Sequence, residues 1–206
     1  MTQKEKIDLV RNNIISNVQI YKNELAGKYY LYIFENQCFE MYFGTDNYMH
    51  LTGVGSKVSP NQFYELSKNK SLEEHQMFFS PRFPLKTALQ KTSNLGCLPN
   101  FTKEGYFIIK DLITDTASYP YAITNIDQSI LIGLKSEEDT EIFIPKSFRV
   151  KGNIFDKADA DKLYEINYIF SKTDKDGLYD NVLYQDQTNL QSLDKNIVEK
   201  INLSVC

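Results

Sequence analysis

The chain has 206 residues, and its 42% hydrophobic content is enough for a packed core without disulfide or metal staples. Aromatic side chains come from 14 Tyr and 13 Phe with no Trp, which favours strands over long helical bundles and predicts an α+β fold. A formal net charge of −4 argues against an evenly basic surface of the kind that coats general nucleic-acid-binding proteins.

The N-terminal part predicts one amphipathic helix followed by a hairpin. Thr2 and Glu5 have the spacing of a capping box, and apolar residues recur at helical intervals through residues 2–25. Residues 28–35 are aromatic or aliphatic on both faces and residues 38–43 alternate, so both segments predict strands. We expect the helix to pack on this hairpin.

The central motif is the stretch 48–57, with the sequence Tyr-Met-His-Leu-Thr-Gly-Val-Gly-Ser-Lys. It leaves the second strand, turns, and enters a helix that Ser59 can cap and that extends towards Asn69. Because the first amides of a helix have no partner within it, an anion such as phosphate is favoured at this end, next to Lys57. Functional residues are often found at such junctions.

The segment after the central motif is basic. Residues 51–103 contain seven Lys or Arg and three Glu, a net charge of +4, which leaves −8 for the remainder. No Asp or Glu occurs in residues 76–103, and a helix is predicted from Pro84 towards Gly96. This distribution predicts a basic face opposite an acidic face supplied largely by residues 156–186.

The C-terminal half predicts the main sheet. Short β-prone runs separated by turn residues are typical of an antiparallel meander. The predicted elements are strands at 106–112, 121–126, 129–134 and 141–150, a helix at 159–171, a strand at 178–184, and a last helix through Leu193, Ile197 and Ile201. We expect one domain, 1–206, in which helices flank a central antiparallel sheet, with the N-terminal helix and hairpin, 1–70, as a candidate lobe.

Several classes of protein are not indicated. No apolar run is long enough to span a bilayer, and the N-terminus lacks the apolar core of a signal peptide. There is no P-loop, dinucleotide fingerprint, nucleophile elbow or HExxH motif, so no nucleotide or metal cofactor is expected. The cysteines, Cys38, Cys97 and Cys206, are odd in number and far apart, which indicates a reducing, cytoplasmic setting.

His50 in the central motif is the first candidate for catalysis. An imidazole accepts and donates protons near neutral pH, as cleavage of RNA through attack of its own 2′-hydroxyl requires. The structural alternative is a partly buried residue that forms a hydrogen bond across the turn. Thr52 either positions a phosphate or stabilises the bend. His75 is a weaker second candidate because its acidic neighbours indicate a solvated surface.

A cationic cluster away from the central motif consists of Lys146, Ser147 and Arg149. In a strand, Ser147 and Arg149 share one face and Lys146 points to the other, unless Pro145 breaks the register. The cluster either stabilises the negative charge of a phosphoryl transition state or supplies edge-strand charges that discourage aggregation.

A family resemblance adds to these observations. The succession His50-Leu51-Thr52-Gly53, a short loop and then Phe63-Tyr64 on a helix resembles a phage- and mobile-element-borne family of the barnase/EndoU/colicin/RelE-like nuclease superfamily. The similarity is strongest over residues 39–72 and weaker at 144–148 and 179–184. It implies a small α+β endoribonuclease or toxin that acts on RNA in a bacterial host and that a cognate inhibitor can neutralise.

Two functions are therefore considered. The first is a metal-independent endoribonuclease of a phage or mobile element. The second is a non-catalytic inhibitor or anti-defence protein that binds a host protein or nucleic acid through a charged surface. For the nuclease, the expected catalytic residues are His50, Thr52, Lys146 and Ser147, and the expected phosphate- or nucleic-acid-binding residues are Lys57, Arg149, Tyr179 and Tyr184. The two tyrosines would stack on bases, with packing on a sheet as the structural alternative.

Overall fold

The computed structural model describes residues 1–114, 117–137, 140–150 and 163–205. Within these ranges the chain forms a large curled, mostly antiparallel sheet with helices, which confirms the α+β prediction. The helices are α1 (Gln3–Glu24), α2 (Asn47–Thr52), α3 (Pro60–Lys68), α4 (Leu85–Thr92) and α5 (Lys195–Val198). The strands are β1 (Tyr29–Phe34), β2 (Gln37–Tyr42), β3 (Gly55–Ser56), β4 (Met77–Phe78), β5 (Tyr106–Ile113), β6 (Ser118–Asn125), β7 (Ile130–Ser136), β8 (Ile142–Val150), β9 (Leu163–Glu165), β10 (Tyr168–Lys172) and β11 (Asn181–Gln185). A 3-10 helix, Leu95–Thr102, connects α4 to β5.

The N-terminal helix and hairpin form as predicted. The Thr2 hydroxyl accepts the Glu5 amide at 3.2 Å, and the Thr2 amide donates to the Glu5 carboxylate at 2.7 Å, which completes the capping box. The stripe of α1 that is buried in the core consists of Val10, Ile14, Val18 and Tyr21. Between β1 and β2, Glu35 and Asn36 have positive φ angles of 44° and 55°, as a two-residue type I′ turn requires.

Among the described residues, nine strands form the main sheet, in the order β11-β10-β1-β2-β8-β7-β6-β5-β9. The antiparallel meander that the sequence predicts is the part made by β5 to β8. In contrast, β2 and β8 are parallel and pair at only two positions. The curl brings the ring of Phe34 in β1 to 5.6 Å from the ring of Tyr164 in β9, so the concave face of the sheet encloses the main core.

One hydrophobic cluster joins the N-terminal elements to the sheet. It contains residues of α1, the β1–β2 hairpin, α2, α3, α4 and the concave face of the meander. Because residues 1–70 share this core with the rest of the chain, we infer a single domain rather than a separate lobe. In the described ranges, no helix combines the length and the apolar character needed to cross a membrane.

The helix predicted at 159–171 is wrong. Residues 163–171 belong to β9, β10 and their connection, and residues 159–162 lie outside the described ranges. Both faces of β10 are covered, so Tyr168, Ile169 and Phe170 are all fully buried. A strand that is buried on both faces is apolar without alternation, and over a short run this pattern mimics helical periodicity.

The last elements are displaced or shortened relative to the prediction. The strand predicted at 178–184 begins three residues later as β11, and Tyr179 instead forms an isolated parallel bridge with Ile201. The last helix is confined to the four residues of α5. Leu193, Ile197 and Ile201 are nevertheless buried together against the convex face of β1 and β10, so their apolar spacing reflects packing rather than one continuous helix.

Candidate functional site

His50 lies on the short helix α2 rather than in the turn that the sequence predicts. The helix ends at Gly53, whose φ of 75° is left-handed and costs least in a residue without a side chain. Because α2 follows β2 directly and packs on β8, it lies where these two parallel strands have stopped pairing. The fold thus attaches the central motif to the strand that carries the predicted cationic cluster.

The His50 side chain is half-buried, and its surroundings favour the neutral imidazole. Burial lowers the pKa of His50, and the positive charge of Lys146 lowers it further, whereas Asp46 acts in the opposite direction. Lys146 itself is exposed. A mainly neutral imidazole at pH 7 has a free lone pair and is therefore able to accept a proton.

Thr52 has the geometry of its structural alternative. It is fully buried, and its hydroxyl donates to the Met49 carbonyl at 2.7 Å and accepts from the Val54 amide at 3.4 Å. Both bonds lie at the C-terminal end of α2, where carbonyl and amide groups lack helical partners. In this conformation the hydroxyl stabilises the bend and has no exposed surface for a phosphate.

Lys91 on α4 is a site residue that the sequence reasoning missed. Its side chain lies against Gly53, and it is mostly buried. Burial lowers the pKa of Lys91 to about 8, with the positive charge of Arg149 as the second cause. Among the described residues, none forms a salt bridge or hydrogen bond with the Lys91 ammonium.

The sequence contained a signal for this lysine. Ala88 and Thr92 are the buried positions of α4, and Lys91 is three residues after Ala88, beside the inward face. It also lies in the stretch 76–103, which contains no acidic residue. A lysine at the border of an inward face within an acid-free stretch indicates a buried cation without a carboxylate partner.

A β-bulge in β8 positions the cationic cluster. Gly133 pairs with Ser147 and Leu134 pairs with Pro145, so Lys146 is an extra residue in this strand. This is the break in register near Pro145 that the sequence analysis left open. Lys146 is exposed as a consequence, whereas Ser147 and Arg149 share the convex face of the sheet.

Arg149 is fixed by polar and aromatic contacts. Its Nε donates to Ser147 Oγ at 3.3 Å, and its Nη2 donates to Thr114 Oγ1 at 3.2 Å and to the Tyr119 hydroxyl at 3.3 Å. The guanidinium carbon lies 5.5 Å from the centre of the Tyr119 ring. That ring in turn covers Gly133, where any Cβ would lie 2.8 Å from it. Ser147 therefore holds the Arg149 side chain in place through a hydrogen bond. The contacts of Thr114 and Tyr119 with Arg149 were not predicted from the sequence.

The remaining predicted residues do not join this group. Tyr179 is fully buried, its hydroxyl donates to Glu40 Oε2 at 2.8 Å, and its ring lies 4.5 Å from Lys172 Nζ, so it is a packing residue in this conformation. Tyr184 is on β11, an edge strand separated from β8 by three others. Lys57 is exposed just after β3.

His75 and the predicted acidic face are also apart from the group. His75 is exposed, and its Nδ1 lies 3.0 Å from Glu73 Oε2, in agreement with a solvated surface. Part of the predicted acidic face, residues 156–162, lies outside the described ranges. Within the described residues, no group of three His, Cys, Asp or Glu is arranged to hold a metal ion.

A cavity of about 330 Å³ lies elsewhere, between the end of α1, the 3-10 helix and strands β10 and β11. Two of its lysines already have partners: Lys28 Nζ donates to the carbonyls of Asn23 and Glu24, and Lys172 Nζ donates to the Gly177 carbonyl. The third, Lys103, donates from its Nζ to Asn100 Oδ1 at 3.4 Å, so the cations of this cavity are engaged in local structure. In the part of the chain that the structure describes, the Lys91 ammonium of α4 has no ion-pair or hydrogen-bond partner, and we place the candidate site there, between α2, α4 and β8.

Comparison with known proteins identifies the family of the chain. Residues 13–188 match the model of the family described as phage-Barnase-EndoU-ColicinE5/D-RelE like nuclease4. No curated protein and no solved structure matches the chain. The match includes α2, α4 and β8 and extends well beyond the locally similar residues 39–72. The chain therefore belongs to this family of nuclease-like proteins.

Proposed function

We propose that the protein is a metal-independent endoribonuclease whose active site lies between α2, α4 and β8. The observation that carries the proposal is the Lys91 ammonium, which is mostly buried beside Arg149 without a carboxylate partner among the described residues. A buried cation is costly unless an anion compensates it. A phosphodiester is the anion that a nuclease-like protein would bring to this position.

His50 supplies the base in this proposal. It is three positions before Gly53, the residue that ends α2, and Lys91 covers Gly53. In the proposal the imidazole and the ammonium both approach the scissile phosphate from this end of the helix. A base whose pKa is lowered is free of its proton at neutral pH, and an ammonium with a pKa of about 8 is mostly protonated there.

The proposed step is an internal transfer at phosphorus. The 2′-oxygen of the RNA bonds to the adjacent phosphorus while its proton moves to the His50 imidazole. The bond between phosphorus and the 5′-oxygen of the next nucleotide breaks, and Lys91 gives that oxygen a proton. The products are a 2′,3′-cyclic phosphate and a 5′-hydroxyl end. Lys146 and Arg149 stabilise the negative charge that develops on the phosphoryl oxygens.

In a bacterial host this activity would act on cytoplasmic RNA, and the producing cell would need a cognate inhibitor. The test is incubation of the purified protein with single-stranded RNA in EDTA, followed by analysis of the new ends. We expect 5′-hydroxyl and 2′,3′-cyclic phosphate ends, and no cleavage of the same sequence with 2′-deoxyribose.

Substitution of the two histidines provides the matched comparison. His50→Ala is expected to reduce cleavage by roughly 10²-fold or more, the usual contribution of a positioned acid or base. His75→Ala, which removes the exposed histidine, should leave the rate unchanged. RNA that stays intact with the wild-type protein, or equal rates for a folded His50→Ala variant, would overturn the proposal and favour the non-catalytic inhibitor.

A further inference from the structure

We infer that Phe78 and Phe83 form a stacking site for an unpaired nucleobase next to the cationic site, so that the substrate is single-stranded RNA. This inference rests on the proposed function and specifies its substrate class. The juxtaposition that carries it is the segment Gly53–Gly55: Lys91 covers one end of this segment and the ring of Phe78 covers the other.

The contact between Phe78 and Gly55 is close and specific. Gly55 pairs with Phe78 across the β3–β4 ladder, and a Cβ on Gly55 would lie 2.4 Å from the Phe78 ring. The glycine thus gives the ring a flat backbone surface to lie on. Although it is packed on one side, Phe78 is 37% exposed, which leaves ring surface available to a ligand.

A short turn adds a second ring and a guanidinium. Ser80 and Phe83 form two mutual backbone hydrogen bonds of 3.1 and 2.9 Å, which fix this turn. The Phe83 ring is perpendicular to Phe78, with centroids 5.5 Å apart, and the Arg82 guanidinium lies 5.6 Å from the Phe83 ring centre. The site therefore offers one ring face, one ring edge and one planar cation.

The charges around these rings favour a polyanion over an apolar protein segment. Arg82 and Lys86 are both exposed, and Lys57 follows β3 on the partner strand of Phe78. No Asp or Glu occurs in residues 76–103. An exposed aromatic ring among basic side chains is an arrangement that binds single-stranded nucleic acid, because every base offers a π-face while the cations neutralise the backbone.

The phosphate site at Lys91 and the stacking site at Phe78 are close enough to bind a single strand of RNA. The Cα atoms of Gly53 and Gly55 are at most about 7 Å apart, since two residues of chain cannot span more. A phosphate held by Lys91 and a base stacked on Phe78 would therefore belong to the same or neighbouring nucleotides. A base within a duplex has both faces covered and cannot make this contact, which predicts discrimination against double-stranded RNA.

The test uses an oligonucleotide that cannot be cleaved. A single-stranded 2′-O-methyl RNA with one 2-aminopurine lacks the attacking hydroxyl, so its binding is independent of catalysis. We expect quenching of 2-aminopurine fluorescence on binding, and Phe78→Ala should weaken binding roughly 5- to 100-fold and abolish the quenching. Phe78→Trp should retain both, because indole also stacks.

Control variants and competing outcomes keep the inference separate from the proposed catalysis. Ile126→Ala removes an apolar side chain on the β6–β7 turn that is even more exposed than Phe78, and it should leave binding unchanged. Melting temperatures report on the folding of each variant. Unchanged affinity of a folded Phe78→Ala protein would overturn the stacking site even if RNA is cleaved. Equal affinity for a duplex, or capture of a protein through Phe78 without oligonucleotide binding, would also overturn it. Stacking with no cleavage would remove the nuclease mechanism alone.

Discussion

The Lys91 side chain occupies the space where a side chain of Gly53 would begin. A Cβ built on Gly53 would lie 2.7 Å from Lys91 Cδ and 3.6 Å from its Nζ. The glycine at the end of α2 thus serves two needs: it has the left-handed conformation that ends the helix, and it lets the lysine stem lie directly on the backbone. The position of the ammonium is coupled in this way to the helix that carries His50.

Gly53→Ala should therefore disturb both stability and the site. An L side chain in the left-handed region costs about 1–2 kcal/mol, and the added methyl group would displace Lys91. We expect a loss of unfolding free energy of this order together with a clear loss of RNA cleavage, measured by urea denaturation and by initial rates. Gly105→Ala is the matched control, because its φ is also positive, at 81°, but its added Cβ would meet nothing within 4 Å. Equal cleavage by the two folded variants would contradict the coupling.

Lys91→Met should stabilise the protein and inactivate it. The pKa of Lys91 is about 8 in the folded protein, against about 10.4 in an unfolded chain, so at pH 7 burial of the charge costs up to about 3 kcal/mol. A methionine of similar shape removes this cost, and we expect a higher unfolding free energy at pH 7 with greatly reduced cleavage. Such a trade-off between stability and activity is common at functional sites.

The unfolding free energy should also depend on pH in a direction that the lowered pKa of Lys91 fixes. Between pH 8 and about 10.4 the unfolded chain binds a proton at Lys91 that the folded protein has released, so the stability of the wild type rises with pH in this window. The advantage of Lys91→Met should accordingly be greatest at and below pH 7 and should shrink towards pH 10. Denaturation curves at pH 7 and pH 10 measure both. A variant that is less stable than the wild type at pH 7 would mean that Lys91 has a stabilising partner.

Local signals in the sequence were sufficient for the elements that are specified locally. The capping box of Thr2 and Glu5, the cap of α3 at Ser59 and the two strands of the hairpin all appear in the structure as predicted. Each depends on residues within a few positions of one another. The prediction of a helix over Tyr168–Phe170 was wrong because the burial of both faces of β10 is decided by α5 and by the concave core, which are distant in sequence.

Prediction of the site likewise depended on contacts between residues that are distant in sequence. His50 and Arg149 were selected from the sequence for their chemistry, but the contact of α2 with β8 depends on a parallel pairing between residues about a hundred positions apart. Lys91 was missed because its importance arises from its contact with Gly53 and from the absence of a carboxylate partner among the residues that the structure describes. Tyr179 had the right chemistry for base stacking but is buried against Glu40.

Tyr179→Phe tests the structural role of this tyrosine. Its hydroxyl and Lys200 both donate to the Glu40 carboxylate, which attaches the C-terminal segment to β2. Burial alone would raise the pKa of Glu40, but these hydrogen bonds outweigh it and the pKa is lowered. Loss of one such bond to a charged group should cost about 1.5–3 kcal/mol of unfolding free energy. RNA affinity should not change, and a weakened affinity in a folded Tyr179→Phe protein would restore a binding role.

Glu40 also predicts how this attachment responds to acid. Because its pKa is lower in the folded protein than in the unfolded chain, its contribution is present above the unfolded value and is lost as the pH falls through the folded value. Glu40→Gln should therefore reduce the difference in stability between neutral and acidic pH. Urea denaturation at pH 7 and pH 3 measures this difference, and an unchanged pH dependence would show that Glu40 is not its source.

The pH profile of RNA cleavage provides the sharpest test of the proposed base and acid. A base with a lowered pKa and an acid with a pKa of about 8 give a bell-shaped rate profile, with an acidic limb below the ordinary histidine value and an alkaline limb near pH 8. A neighbouring cation contributes to the position of each limb: Lys146 lowers the pKa of His50, and Arg149 lowers the pKa of Lys91. Removal of either cation should move its own limb to higher pH, because a nearby positive charge disfavours protonation.

Two methionine variants separate the limbs. Lys146→Met should shift the acidic limb upwards and leave the alkaline limb in place, whereas Arg149→Met should shift the alkaline limb and leave the acidic one. Both variants are also expected to cleave more slowly at their optimum, because each removes a positive charge from the transition state. Single-turnover rates from pH 4.5 to pH 10, with the melting temperature recorded at each pH, measure these shifts. If both variants lower the rate equally at all pH values without moving either limb, the two cations bind the phosphate but His50 and Lys91 are not the groups whose protonation limits cleavage.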